Sequence, residues 1–154
     1  MTTMHTHAVR PIRPEDTWSL RHRVLRPHQT LADCDYPGDH DPANFHLGVL
    51  DTARTPPAVV CIGTFHAERN PDLPGMHHYR LRGMATAPEL RGQGLGALLL
   101  RDAFERLRER GADRLWCHAR EGAIAFYTRL GLIGHGELFE VPGIGRHLVM
   151  SVAL

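Results

Sequence analysis

Arg91-Gly92-Gln93-Gly94-Leu95-Gly96 separates an apolar, strand-like stretch over 79–87 from an amphipathic helix over 95–110. Alternating glycines at a helix start remove the Cβ atoms that would hold a ligand off the backbone. The first-turn N–H groups of a helix have no partner within it, and the helix dipole adds partial positive charge there. An arginine beside such groups completes a grip for a phosphate or pyrophosphate. The stretch therefore predicts a strand–turn–helix unit that holds a phosphorylated ligand.

Outward from this unit, Leu95, Leu98, Leu99, Ala103 and Leu107 define an apolar stripe with Phe104 on its flank, and Asp102 and Arg106 are spaced for an i,i+4 pair. Upstream, strands are expected over 8–12, 45–50, 58–68 and 79–87, with β-branched Val59, Val60 and Ile62 in the third. A helix begins at Pro14 with acids in its first turn and ends before Pro27. Residues 28–43 read as a long polar loop with at most one helical turn, and a loop of that length is often functional. Downstream, a strand over 114–118, a helix over 121–130 and strands over 136–140 and 148–153 complete the chain. The order predicts an α/β fold: one domain over 8–154, a mixed twisted sheet with helices on both faces, preceded by a flexible tail over 1–7.

At 154 residues the chain is long enough for one real core. A net charge of +1 gives no reason to expect nucleic acid or an anionic membrane as partner. Cys34, Cys61 and Cys117 are odd in number and lack CxxC spacing, which points to a reducing compartment without structural zinc. No apolar run approaches the ~20 residues of a membrane span. The N-terminus, with His5 and His7, lacks an apolar signal region, so the cytoplasm is the expected location. The histidines do not have HExxH spacing, and no metal is expected.

Three ligands compete for the glycine loop. A nucleoside triphosphate loop needs Lys-Ser or Lys-Thr after the glycines, and neither is present. Gly92 to Ala97 does match GxGxxG/A, the dinucleotide fingerprint, but Pro88-Glu89-Leu90-Arg91 stands between it and the strand. Arg120 beyond the next strand would suit a 2′-phosphate, so an NADP-dependent oxidoreductase stays open as a remote alternative.

The third reading comes from resemblance. The segment Met84-Ala85-Thr86-Ala87-Pro88-Glu89-Leu90-Arg91-Gly92-Gln93-Gly94-Leu95-Gly96-Ala97 resembles the coenzyme A segment of the GNAT superfamily of N-acetyltransferases, whose pattern is an apolar strand, a Pro-containing turn and Q/RxxGxG/A. Phe126-Tyr127-Thr128-Arg129-Leu130-Gly131-Leu132 resembles that family's FYxRLGF element, one strand further on. Val24-Leu25-Arg26-Pro27 and 139–144 are similar to the ElaA-like branch. The resemblance implies acetyl-CoA as acyl donor. It implies that the strand Met84-Ala85-Thr86 pairs with the pantetheine arm as with another strand, and that backbone N–H groups near Arg91, Gly92, Gln93, Gly94, Leu95 and Gly96 hold the pyrophosphate. It also allows a homodimer, a habit common in the family. One departure is Arg120, where many members carry Asn near the start of the second helix.

Acyl transfer from a thioester to an amine needs a deprotonated amine, donors for the oxyanion and a proton for the thiolate. The resemblance makes Tyr127 the expected acid. For the base, Glu68 at the end of one strand and His118 at the end of another are the first candidates, with His66 and His147 behind them and a water-mediated route also open. Asp33, Asp35, Asp39 and Asp41 in the long loop read first as a solvated loop, with attraction of a cationic amine to the acceptor cleft as the second reading. A non-catalytic acyl-CoA sensor is the competing class. The acceptor, a small molecule or a protein amine, is not written in the motifs.

Overall fold

A computed structural model describes residues 6–154. The expected tail over 1–7 lies largely outside the described residues, and His7 already pairs with Asp51 in the first strand. Seven strands form one sheet in the order β1-β2-β3-β4-β5-β7-β6: β1 (His7–Ile12), β2 (Phe45–Asp51), β3 (Ala58–Ala67), β4 (His78–Thr86), β5 (Arg114–Arg120), β6 (Ile133–Val141) and β7 (Gly145–Ala153). All neighbours are antiparallel except β4 and β5, which run parallel because a helix carries the chain between them.

That helix is α2 (Leu95–Glu109). It buries Leu95, Leu99, Leu100, Ala103 and Leu107. Leu98, expected in the stripe, is 40% exposed, and Leu100 takes its place. At about 100° per residue the line through 95, 99, 103 and 107 drifts toward 100 and away from 98. Arg106 donates to Asp102 on the outer face as the spacing predicts. Leu99 lies where a Cβ on Gly63 of β3 would come within 3.0 Å, so α2 packs directly on the sheet.

The first helical segment lies on the opposite face. It is not the single regular helix its sequence suggests. A 3-10 turn (Pro14–Thr17) leads into α1 (Trp18–Leu20) and then a π turn (Arg21–Leu25), which closes Arg26 N–H onto the Arg21 carbonyl at 3.0 Å. The 28–43 loop contains one 3-10 turn (Ala32–Cys34) and is fixed to this face by the buried Arg21 side chain.

The sheet is interrupted where the two parallel strands meet. β4 and β5 pair only through His78–Leu81 and Arg114–Cys117. Beyond that point β4 pairs with β3 alone and β5 with β7 alone, so the sheet opens into a wedge. A register shift opposite Gly63 sharpens it: Gly83 sits at φ +60°, a conformation that glycine takes without cost, and a Cβ there would approach Arg21 Nε to 3.0 Å. The last helix, α3 (Ile124–Arg129), follows β5 and closes the wedge on the α2 side.

Candidate active site

Two clefts meet in this wedge. The larger, about 870 Å³, runs from Met84, Ala85 and Thr86 on β4 to Arg91, Gly92, Gly94, Leu95 and Gly96 at the start of α2, with Arg101, Phe126 and Arg129 along its sides. It contains every residue expected to hold the phosphorylated ligand except Gln93, which stands exposed outside the lining. Past Leu81 the edge of β4 that faces β5 has no strand partner, which leaves backbone groups for an extended ligand.

At the helix start, Gly94 is the N-cap with φ +78°. The N–H groups of Gly92, Gln93 and Gly94 find no backbone partner among the described residues. Those of the first helical turn have none within the helix. Gly96 is small for a packing reason: a Cβ there would lie 2.9 Å from the Phe126 ring and 3.2 Å from the Met84 methyl. A single atom therefore decides how closely α2, α3 and β4 converge. An elongated molecule with a phosphate end fits this cleft.

The second cleft, about 230 Å³, lies on the other side of the wedge. Arg80 and Arg82 on β4, His118 on β5, His147 on β7, and Arg26 and Tyr36 from the first helical segment and the long loop line it. Leu25, Met84, Arg120, Ala123 and Tyr127 line both clefts, so the two are joined at Met84 and Tyr127.

Tyr127 is 6% exposed, stands edge-on to Phe126 at 5.1 Å, and burial raises its phenol far above the ordinary value. Its hydroxyl makes no hydrogen bond to a described residue and so keeps its proton to give. Burial also pushes the neighbouring Cys117 thiol up to about 12.

The first two candidates for the base are both engaged by one arginine. Arg80 Nη1 faces Glu68 at 3.2 Å, and Arg80 Nη2 donates to His118 Nδ1 at 3.2 Å. β3 ends at Ala67, so Glu68 lies just past the strand and outside the cleft. Burial, with Arg80 beside it, holds His118 below its usual value, and the neutral ring has its lone pair turned to Arg80. His66 is removed from the chemistry altogether: its Nε2 donates to Asp39 at 2.9 Å in a buried cluster.

His147 differs. Its Nδ1 lies 2.9 Å from the Gly145 carbonyl, which only accepts. The proton is therefore on Nδ1, so in the neutral tautomer Nε2 is the accepting nitrogen of the ring.

None of the four loop aspartates lines either cleft. Asp39 is wholly buried against Arg21, Asp33 accepts from the Thr30 N–H, Asp35 meets His40, and Asp41 caps the Ala43 N–H. Asp39 is buried, the other three stay exposed while bonding within the loop, and arginines line the smaller cleft. Sequence reading missed them, although Arg80-Leu81-Arg82 carries the signal: strand alternation places both arginines opposite the buried Leu81. Arg120, at the position of the departure, donates to the Leu25 carbonyl at 3.3 Å.

The sequence profile of the acetyltransferase (GNAT) family matches residues 10–132. A Bacillus subtilis protein named as an N-acetyltransferase, YitI, is 42% identical over 146 residues, covering 95% of each chain. Among solved structures, Escherichia coli ElaA superposes with a TM-score of 0.71 at 17% identity over 94% of this chain and 98% of its own. Arabidopsis thaliana NAA60, in complex with a bisubstrate analogue, superposes with a TM-score of 0.77 at 15% identity over 97% and 99%.

Proposed function

The chain belongs to the GNAT family of acetyltransferases, and from that premise we propose how it moves an acyl group from acyl-CoA to an amine: by direct attack where its two clefts meet. Family membership sets aside the NADP-dependent reading and makes the chain an enzyme rather than a sensor. The observation that carries the geometry is the lining the two clefts share, Met84 and Tyr127 among it: a donor in the larger cleft and an acceptor in the smaller meet there.

The coenzyme supplies a thioester carbonyl open to attack by an amine. The N–H groups from Gly92 to Gly96 hold its pyrophosphate, with Arg91 beside them. The unpaired edge of β4 at Met84 to Thr86 aligns the pantetheine arm and supplies N–H donors to the developing oxyanion. His147 takes the proton from the incoming ammonium through Nε2, directly or through a water, and the Gly145 carbonyl holds the ring in the tautomer that can do so. Arg80 occupies the alternative bases, so Glu68 and His118 act as supports for its guanidinium.

Tyr127 gives its proton to the departing thiolate. Its raised value does not disqualify it, because the same apolar surroundings raise the conjugate acid of any thiolate beside it, as the Cys117 thiol illustrates. An acetyl group is the acyl unit that the family name favours. A reducing compartment such as the cytoplasm suits the three unpaired, buried cysteines, and no described helix is long and apolar enough to cross a membrane.

The test is acetyl-CoA with a panel of amines, following free thiol and the mass of the acetylated product. Amine-dependent thiol release with a matching product is expected. Binding of acetyl-CoA with no amine-dependent release from any member would leave only the sensor.

A further inference from the structure

The smaller cleft is lined by Arg26, Arg80, Arg82 and Arg120 and by no carboxylate. The two acids that act on Arg82 are already engaged, Glu68 with Arg80 and Asp39 with Arg21. Arg80 divides its donors between Glu68 and His118, Arg26 bonds the Tyr36 hydroxyl and Gln29, and Arg120 bonds the Leu25 carbonyl.

Arg82 stands apart from these three. It is half-buried, and its guanidinium lies 4.9 Å from the centre of the Tyr36 ring. It forms no hydrogen bond or ion pair with a described residue. Two more guanidinium groups flank the same ring, Arg21 at 3.9 Å and Arg26 at 5.1 Å. Burial and the neighbouring Arg80 both disfavour the charged form of Arg82. Its nitrogens still touch the solvent of the cleft and meet no acceptor among the described residues, and the clustered like charges disfavour the cation. An entering oxyanion offsets that repulsion, and the planar fork of arginine matches a carboxylate or phosphate.

We infer that the acceptor amine carries an oxyanion of its own, a carboxylate or a phosphate, which Arg82 receives together with Arg26 while the amine faces Met84 and Tyr127. The inference deepens the acyltransferase reading and rests on it. It assigns the chain to small zwitterionic amines and against polycations, the reverse of the second reading of the aspartate-rich loop.

The experiment compares acceptors that differ by the anion alone: lysine with cadaverine for the carboxylate, phosphoethanolamine with ethanolamine for the phosphate, and spermidine as a polycation. Binding to the CoA complex is read by calorimetry and acetylation by thiol release. In at least one pair the anionic member is expected to bind and react roughly tenfold better or more, in line with a charge-assisted hydrogen bond. Arg82→Gln brings the ratio to near one, and Arg82→Glu reverses it. Should either variant fail to fold by circular dichroism, Arg26→Gln is expected to lower the ratio severalfold.

A wild type that binds cadaverine, ethanolamine or spermidine as well as the anionic members overturns the inference. So does an Arg82→Gln variant that keeps the preference, or a wild type that binds no anionic member. Thiol release with the amines that lack an anion, and no preference for the anion, sinks this inference alone. Silence with every amine despite CoA binding sinks the acyltransferase reading beneath it.

Discussion

The Arg21 guanidinium and the Asp39 carboxylate meet at 2.5 Å with neither side chain exposed to solvent. Arg21 also donates to the Cys34 carbonyl at 2.7 Å and to Thr64 Oγ1 at 2.6 Å, while Asp39 accepts from His66 and from the Tyr36 N–H. One ion pair thus fastens the long loop to β3 and sets Tyr36 into the wall of the smaller cleft. Burial alone would raise the Asp39 carboxyl, but hydrogen bonds from His66 and Arg21 outweigh it and hold it far below the usual range. Asp39→Ala leaves a buried guanidinium without its partner and should cost about 3–5 kcal/mol in urea unfolding. A loss below about 1 kcal/mol would mean that the pair does not anchor the loop.

His46 closes a ring of bonds around the same pair. Its Nε2–H donates to the Asp39 carbonyl at 2.9 Å, and its Nδ1 accepts from Thr64 at 2.8 Å. Burial lowers its value, so the folded protein keeps the ring neutral where the unfolded chain takes up a proton. The unfolded state then binds more protons as pH falls through about 6.5, and stability declines there by at most about 1.4 kcal/mol per pH unit for this group. The Asp39 contribution persists until pH falls below about 4, because its folded value is depressed. Urea midpoints measured from pH 7.5 to 5 should fall for wild type and fall less steeply for His46→Gln. Parallel slopes would remove His46 from the account.

For the chemistry, His147→Gln should lower kcat/KM by roughly 100-fold, while His118→Ala and Glu68→Gln change it much less. An undiminished kcat/KM in the His147 variant would leave a water-mediated route without this base.

Tyr127→Phe removes a hydroxyl that bonds nothing described, so the melting temperature and the acetyl-CoA affinity should stay near wild type. Loss of the proton donor should lower kcat by roughly 100-fold. Equal turnover would reduce Tyr127 to a packing residue.

Gly96→Val drives a side chain into the Phe126 ring, since a Cβ would already lie 2.9 Å away. Coenzyme A affinity by calorimetry should drop roughly tenfold or more, with about 1–3 kcal/mol of overpacking in the melt. Gly92→Ala, whose Cβ would meet nothing within 4 Å, should cost only its backbone strain at φ +81°. Equal effects from the two substitutions would refute the convergence of α2, α3 and β4 at Gly96.

The amino-acid sequence alone determined the order of the elements and the glycine-lined helix start proposed to hold the coenzyme. Both are local: strand alternation, a four-residue helical stripe and two glycines before a helix act over a few neighbouring residues, and their spacing is visible in the chain. Even there, local patterning missed the π turn at Arg21 and the exposure of Leu98, each a matter of what lies across the interface.

Tertiary structure alone decided the lining of the smaller cleft. Arg26, Arg82 and His147 are far apart in the chain and meet because β4 and β5 part after Leu81 and Cys117. The loop aspartates leave a lure for cations open as a reading until Arg21 is seen to bury one of them, and His147 reads as one histidine among twelve until the Gly145 carbonyl fixes its proton. Charge and tautomer at a site depend on partners brought in from distant segments, and no spacing within one segment records them.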